Sequence, residues 1–419
     1  MRKRHVVLAL LCVVSAITFL DRLAIAVAEP GIRHDLNLSA SEWGWVLSAY
    51  VLANALFEIP SAARGDRRGQ RYELTRIAVW WSGFTALTAA CRSLWQIVAS
   101  RFLFGVGAAG AYPNAAGAVA RWFPKKEHAK AQGFIWGAGR LGGALAPLLL
   151  VPLQRATGWR GMFVGLGILG VVWAAVWAMW FRDAPSEMPG IGAQELAELE
   201  ELCGAEVRAA TPWRQLLELP QLQLITVAYF CYAWGSWFYF GWFTTWLVRG
   251  AGFSVSQMGL VASFPFFMGF VGNLIGGALM EPVAHRFGRR LAYRAVAGVC
   301  LVVTACLLAG MSFVSSRTAI AVLASLGLGV MDLMLPCAWA MCLSLGGEFG
   351  GTATGVMNTA GNLGGWVGAI VFGYLAQMTG SYNAPLRLIA MMVLVGAALF
   401  SQVDCTRGLD SVASASIAD

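Results

Sequence analysis

Long apolar runs separated by short polar clusters dominate the chain, and twelve of them have the length of a membrane helix. Roughly 20 apolar residues in a helix cross the hydrocarbon core of a bilayer. The predicted spans cover roughly 6–28, 42–64, 73–92, 95–121, 129–153, 159–182, 222–249, 254–281, 288–313, 318–343, 351–376 and 382–402. Most connections are short, but the stretch 183–221 is polar, carries Pro185, Pro189, Pro212 and Pro220, and holds eight acids between Asp183 and Glu218. Its part from Gln194 to Cys203 fits a short acidic surface helix. The expected organisation is therefore a six-helix bundle over 1–182, a cytoplasmic linker over 183–221, a second six-helix bundle over 222–402 and a cytoplasmic tail over 403–419.

The two halves repeat each other. Gly139-Arg140-Leu141-Gly142-Gly143 in the fifth span matches Gly361-Asn362-Leu363-Gly364-Gly365 in the eleventh, an offset of 222 that Gly133 and Gly355 share. The loop Gly65-Asp66-Arg67-Arg68-Gly69-Gln70-Arg71 after the second span resembles His285-Arg286-Phe287-Gly288-Arg289-Arg290 after the eighth. Two similar six-helix bundles are a transporter architecture with the substrate near the midplane. Glycines at these spacings let helices approach closely.

Composition narrows the classes. Of 419 residues, 58% are hydrophobic and 12% charged, the latter about half the roughly 25% of soluble proteins. Soluble and disordered chains are excluded. With the N-terminus inside, 20 of the 30 Lys and Arg fall on the cytoplasmic side, 7 on the outer side and 3 within the membrane. That bias orients the chain with both termini cytoplasmic. It also accounts for the net charge of +8 through basic loops facing an anionic leaflet, with no nucleic acid required. Arg2-Lys3-Arg4, the run Val6 to Leu20 and Ala26-Val27-Ala28 imitate a secretory signal. The apolar run continues past Asp21-Arg22 into further spans, so an uncleaved first helix is expected. No CxxC pair occurs, and His5, His34, His128 and His285 fall in loops or at span ends, so neither a metal nor a cofactor is expected. The absence of HExxH, GxSxG and P-loop motifs argues against an enzyme or an ATP-driven pump.

Several segments resemble the major facilitator superfamily, beginning with Gly65-Asp66-Arg67-Arg68-Gly69-Gln70-Arg71. Phe19-Leu20-Asp21-Arg22, Ala55-Leu56-Phe57-Glu58-Ile59-Pro60, Arg101-Phe102-Leu103-Phe104-Gly105, Tyr112-Pro113, Arg121-Trp122-Phe123-Pro124, Trp242-Phe243-Thr244-Thr245-Trp246-Leu247 and Met357-Asn358 resemble its anion:cation symporter family. That family includes sugar-acid, hexuronate and galactonate transporters and sialin. The resemblance implies proton-coupled import of a small organic anion by alternating access. It assigns proton and substrate handling to Asp21, Arg22 and Arg101. One departure bears on coupling: family sugar-acid symporters often carry Glu where this chain has Ala108. An exchanger or facilitator without protons is the alternative.

Read physically, charges inside a span cost about 2.5–3.5 kcal/mol each and belong in a cavity or with one another. The embedded set is Asp21, Arg22, Glu58, Arg101, Arg140 and Asp332. Asp21, Arg22 and Arg101 fall at similar depth in the outer half, while Arg140 and Asn54 fall near mid-span. Guanidinium binds carboxylate by a two-pronged fork, which makes Arg22, Arg101 and Arg140 candidate anion ligands. Arg101 paired with Asp21, and Arg140 with Glu58 or Asp332, would serve as structural locks instead. Asp21 is the first proton candidate and Glu58 the second. In the second half, Asn358 and Asn362 share a helix face and suit substrate hydroxyls. Tyr239 and Trp242 could stack on a sugar ring or simply face lipid and core. Asp66, Arg67 and Arg71 are expected to form a cytoplasmic latch. The expected protein is all-α, with 12 transmembrane helices in two pseudo-symmetric bundles, monomeric, in a bacterial inner membrane.

Overall fold

The computed structural model describes residues 2–38, 40–200 and 212–409. Among these residues the regular structure is helical: α1 Lys3–Leu36, α2 Ala40–Arg68, α3 Gln70–Thr88, α4 Leu94–Ala108, α5 Ala111–Trp122, α6 His128–Trp180, α7 Ala193–Glu200, α8 Trp213–Glu218, α9 Pro220–Gly241, α10 Phe243–Arg249, α11 Val255–Phe287, α12 Arg289–Met311, α13 Arg317–Gly346, α14 Gly350–Thr379 and α15 Asn383–Phe400. A helix satisfies its own backbone groups, which is what hydrocarbon demands of a spanning segment. By length and composition, seven helical stretches among the described residues can cross a membrane. Counting α4 with α5 and α9 with α10 as interrupted rods, and α6 as two, gives twelve long rods among the described residues.

The rods differ from the expected spans at identifiable places. The first runs on to Leu36 and ends on Asn37 in the left-handed region at φ 52°, with Arg33 and His34 in its last turn. Cations there complement the helix dipole, and Asn tolerates the left-handed cap. The fifth and sixth spans are joined through a single non-helical residue, Gly158 at φ 69°, instead of a loop. The fourth span is broken at Ala109–Gly110, where Gly110 adopts φ 81°. The acidic linker helix covers Ala193–Glu200, and the remainder of its expected range, 201–203, lies outside the described residues, as do positions 410–419 of the tail.

Packing divides the chain into two compact units, residues 1–124 with 138–211 and residues 125–137 with 212–419. In the first, α6 crosses α1 so closely that a Cβ on Gly142 would lie 2.8 Å from the Ala16 carbonyl oxygen. In the second, α14 crosses α9 in the same manner, with Gly364 against the Phe230 backbone. Acidic residues of the linker tie down helix starts in the first unit. Glu195 accepts the Lys3 and Arg4 backbone N–H groups at 2.9 and 3.0 Å, and Glu198 pairs with Arg2 at 2.8 Å. Asp183 accepts the backbone N–H of Gln70 and, at 3.1 Å, of Arg71 at the start of α3. Carboxylates at helix N-termini meet otherwise unsatisfied N–H donors.

Candidate functional site

The first unit gathers polar residues from five helices. α1 contributes Asp21 and Arg22, with Phe19 one turn earlier; α2 contributes Tyr50, Asn54 and Glu58 at successive i, i+4 positions. Arg101 comes from α4, Tyr112 from the first turn of α5 and Arg140 from α6. Gly105 makes this convergence possible on one side, since a Cβ there would meet the Tyr50 carbonyl oxygen at 2.7 Å.

Aromatic faces hold the cations. The Arg22 guanidinium carbon lies 5.6 Å from the ring centroids of Phe19, Tyr50 and Tyr112. Arg101 lies 4.2 Å from the Phe104 centroid and 5.8 Å from that of Tyr50. Arg140 sits 5.6 Å from Phe19. Phe19 is thus shared by Arg22 and Arg140, and Tyr50 by Arg22 and Arg101. A ring face attracts a guanidinium electrostatically without consuming the N–H donors along its edge. Tyr112 is itself fixed by a hydrogen bond of 3.0 Å between its hydroxyl and that of Ser15.

Several polar atoms in this cluster have no hydrogen-bond partner among the described residues: both carboxylate oxygens of Asp21, Nε of Arg22, the Tyr50 hydroxyl, Nη1 of Arg101 and Oδ1 of Asn54. Asp21 is 1% and Arg101 2% exposed. Arg101 is the cation whose field acts on Asp21. Buried polar groups normally find partners because leaving them unmade is costly, so such a group of open donors and acceptors marks this cluster as the candidate site. Arg140 and Glu58 are buried as well and engaged in polar interactions.

The second unit places its candidates differently. The Tyr239 hydroxyl donates to the Ala324 carbonyl at 3.0 Å, tying α9 to α13. Trp242 donates its Nε1–H to the Ala369 carbonyl at 3.0 Å and stacks on Phe372 with centroids 4.7 Å apart. Both polar tips are therefore spent on helix packing. Asn362 is buried and Asn358 half-buried on α14, and both are engaged. Near the loop after α2, Arg71 donates Nε–H to the Ala178 carbonyl at 2.7 Å and Arg121 reaches the Asp66 carbonyl at 3.2 Å, while Arg67 is exposed. Sequence reasoning gave no role to Phe19, Tyr50 and Tyr112. Their helical spacing from Arg22 and Asn54 was the available signal for the first two.

Comparison with known proteins agrees with this architecture. A family model described as Major Facilitator Superfamily matches residues 11–369. The probable sulfoacetate transporter SauU of Cupriavidus necator is 34% identical, over 94% of this chain and 93% of that protein. The probable galactarate/D-glucarate transporter GudP of Bacillus subtilis is 28% identical, over 91% of this chain and 88% of that protein. Among solved structures, the proton:xylose symporter XylE superposes with a TM-score of 0.77 at 13% identity, covering 98% of each chain.

Proposed function

Because the chain belongs to the Major Facilitator Superfamily, as a multi-pass membrane transporter and not an enzyme, we propose that it is a proton-coupled symporter of a small organic anion working by alternating access. One observation carries the reading. Arg22 and Arg101 are held by aromatic faces and keep guanidinium N–H donors unpaired, the arrangement that binds a carboxylate or sulfonate by a fork. The relatives whose names specify sulfoacetate and galactarate or glucarate support the same substrate class.

In the mechanism, the anion enters the first unit's cluster and takes the open edges of Arg22 and Arg101. Asn54 offers an acceptor oxygen to a substrate hydroxyl. Asp21, in the field of Arg101, competes with the anion for that cation. Protonation of Asp21 removes the competition, so proton and anion binding favour each other, as linkage requires. Glu58 is the second proton candidate and Arg140 joins Arg22 and Arg101 as an anion ligand of the first unit, while Asn358 and Asn362 are the second unit's own candidates for substrate hydroxyls. Asp66, Arg67 and Arg71 serve as the cytoplasmic latch. Both termini are cytoplasmic, in a bacterial inner membrane, following the Lys and Arg bias, and the protein works as a monomer.

Purified protein in vesicles tests the reading: an inward proton gradient should drive uphill uptake of the anion. Ala108, at a place where family members often carry an acid, favours one other reading, proton-independent exchange. Counterflow without any response to the pH gradient would establish exchange instead.

A further inference from the structure

Once Asp21 is protonated, the first unit's cluster sets Arg22, Arg101 and Arg140 against Glu58 and carries more positive charge than a substrate with one acidic group needs. Arg22 and Arg101 each keep an unpaired edge nitrogen. Both lie within 6 Å of one ring, at 5.6 and 5.8 Å from the Tyr50 centroid. Their guanidinium carbons can therefore stand no farther apart than those two lengths laid end to end. At ~1.5 Å per covalent bond, a skeleton of two to six heavy atoms bridges such a gap with an acidic group at each end. The surrounding walls are Phe19, Phe104 and the rings of Tyr50 and Tyr112. Tyr112 spends its hydroxyl on Ser15. Asn54 Oδ1 and the Tyr50 hydroxyl are the open neutral polar atoms among the cluster's named residues, which is few for a chain of hydroxyls.

Resting on the organic-anion reading above, we infer that the substrate is a short, two-headed dianion with few hydroxyls, one acidic group on Arg22 and the other on Arg101, bridging the Tyr50 ring. Asp21 is what makes the second head conditional. While it is ionised, Asp21 holds Arg101 and leaves Arg22 to a single anionic group. Once it is protonated, Arg101 takes the second head. The titratable and charged residues of the cluster itself, beside Asp21, are Arg22 on α1, Tyr50 and Glu58 on α2, Arg101 on α4, Tyr112 on α5 and Arg140 on α6.

The test is calorimetric titration of the purified full-length protein with four probes: sulfoacetate and succinate as two-headed anions, butyrate and gluconate as one-headed ones. Both dianions should bind at least about ten-fold more tightly than either monoanion, a difference of about 1.4 kcal/mol. Dianion binding should also take up a proton, read as a dependence of the binding heat on the ionisation heat of the buffer. In Arg101→Gln the ratio of succinate to butyrate affinity should collapse to within about two-fold, since each additional factor is the second head's own contribution. Gluconate binding as tightly as the dianions overturns the inference and leaves the organic-anion reading standing. Binding of none of the four, by protein that melts cooperatively, overturns both. The wild-type ratios decide the matter even where Arg101→Gln does not fold.

Discussion

The helix α6 of the first unit and α14 of the second carry the same glycines on the same side, yet one presents Arg140 where the other presents Asn362. The glycines perform the same task in each. Gly139 and Gly142 seat α6 against Ser15, Ala16 and Phe19 of α1, while Gly361 and Gly364 seat α14 against Tyr229 and Phe230 of α9. Backbone crossing has been kept and the polar chemistry has diverged. The first unit places Asp21, Arg22, Glu58, Arg101 and Arg140 within its helices, whereas Asp332 is the buried charge within the second unit's spans among the described residues. Aromatic residues diverge in the same way. In the first unit Phe19, Tyr50 and Tyr112 face cations. In the second Tyr239 and Trp242 fasten neighbouring helices. The two halves thus share a frame, and charge has been loaded into one of them.

Asp21 is the charge proposed to couple, and its removal should have the largest effect. Asp21→Asn should retain anion binding and counterflow but lose uphill accumulation in vesicles with an imposed pH gradient. Accumulation by this variant would make Asp21 a structural ion-pair member and pass the proton to Glu58. Next in size, Arg22→Lys and Arg101→Lys should each weaken anion binding by about ten- to hundred-fold, because a point charge cannot reproduce the fork. Calorimetry on both variants checks this, and near-normal affinity in both would sink the claim that the first unit reads charge.

The scaffold side can be probed with a matched pair. Gly142→Val and Gly364→Val insert side chains into backbone contacts of equivalent design, and each should destabilise the protein by about 1–3 kcal/mol. Thermal melts should fall together; a drop in only one would show that the frames are not equivalent. Asn362→Ala should cost about 1 kcal/mol, the size of a neutral hydrogen bond, and only for hydroxylated anions. Equal loss for succinate would remove its proposed hydroxyl role.

The smallest effect lies outside the membrane. Asp404 accepts hydrogen bonds from the backbone N–H and hydroxyl of Thr406 at 3.1 and 2.6 Å and pairs with Arg290 at 3.1 Å. Burial works to raise its pKa, but the Thr406 bonds and the charges of Arg290 and Arg294 outweigh it and hold the carboxyl below its ordinary range. A carboxylate held low contributes stability above its unfolded-state pKa, and that contribution is lost as pH falls through the folded value. Wild-type melting temperature should therefore drop slightly on acidification through and below the carboxylate range, and Asp404→Asn should flatten that part of the profile.

What could be read ahead of the structure follows from how strong each local signal is. Arginines within twenty-residue apolar runs stand out because their insertion cost is high, so Arg22, Arg101 and Arg140 were visible as candidates. The rings that hold them were not. An aromatic residue in an apolar run is as apt for lipid as for a cation, and only the rotation of the helix decides. The break at Gly110 was hidden in an Ala- and Gly-rich stretch with no Pro to mark it until Pro113. Arg71, expected in a latch with Asp66 and Arg67, donates to the Ala178 carbonyl, and a main-chain acceptor leaves no trace in a sequence. Asp183, Glu195 and Glu198 were recognised only as linker acidity; their service to the starts of α3 and α1 depends on chain positions more than a hundred residues away.

Those linker acids have a practical consequence for anyone wishing to express the protein as two separate polypeptides. A cut directly after the sixth rod, at Trp180, would deprive the first piece of the carboxylates that satisfy Gln70, Arg71, Lys3 and Arg4. A cut between Glu200 and Pro212 leaves every one of these groups with the polypeptide that uses it. The gene's natural seam for fragment complementation is therefore well downstream of the last transmembrane residue of the first half.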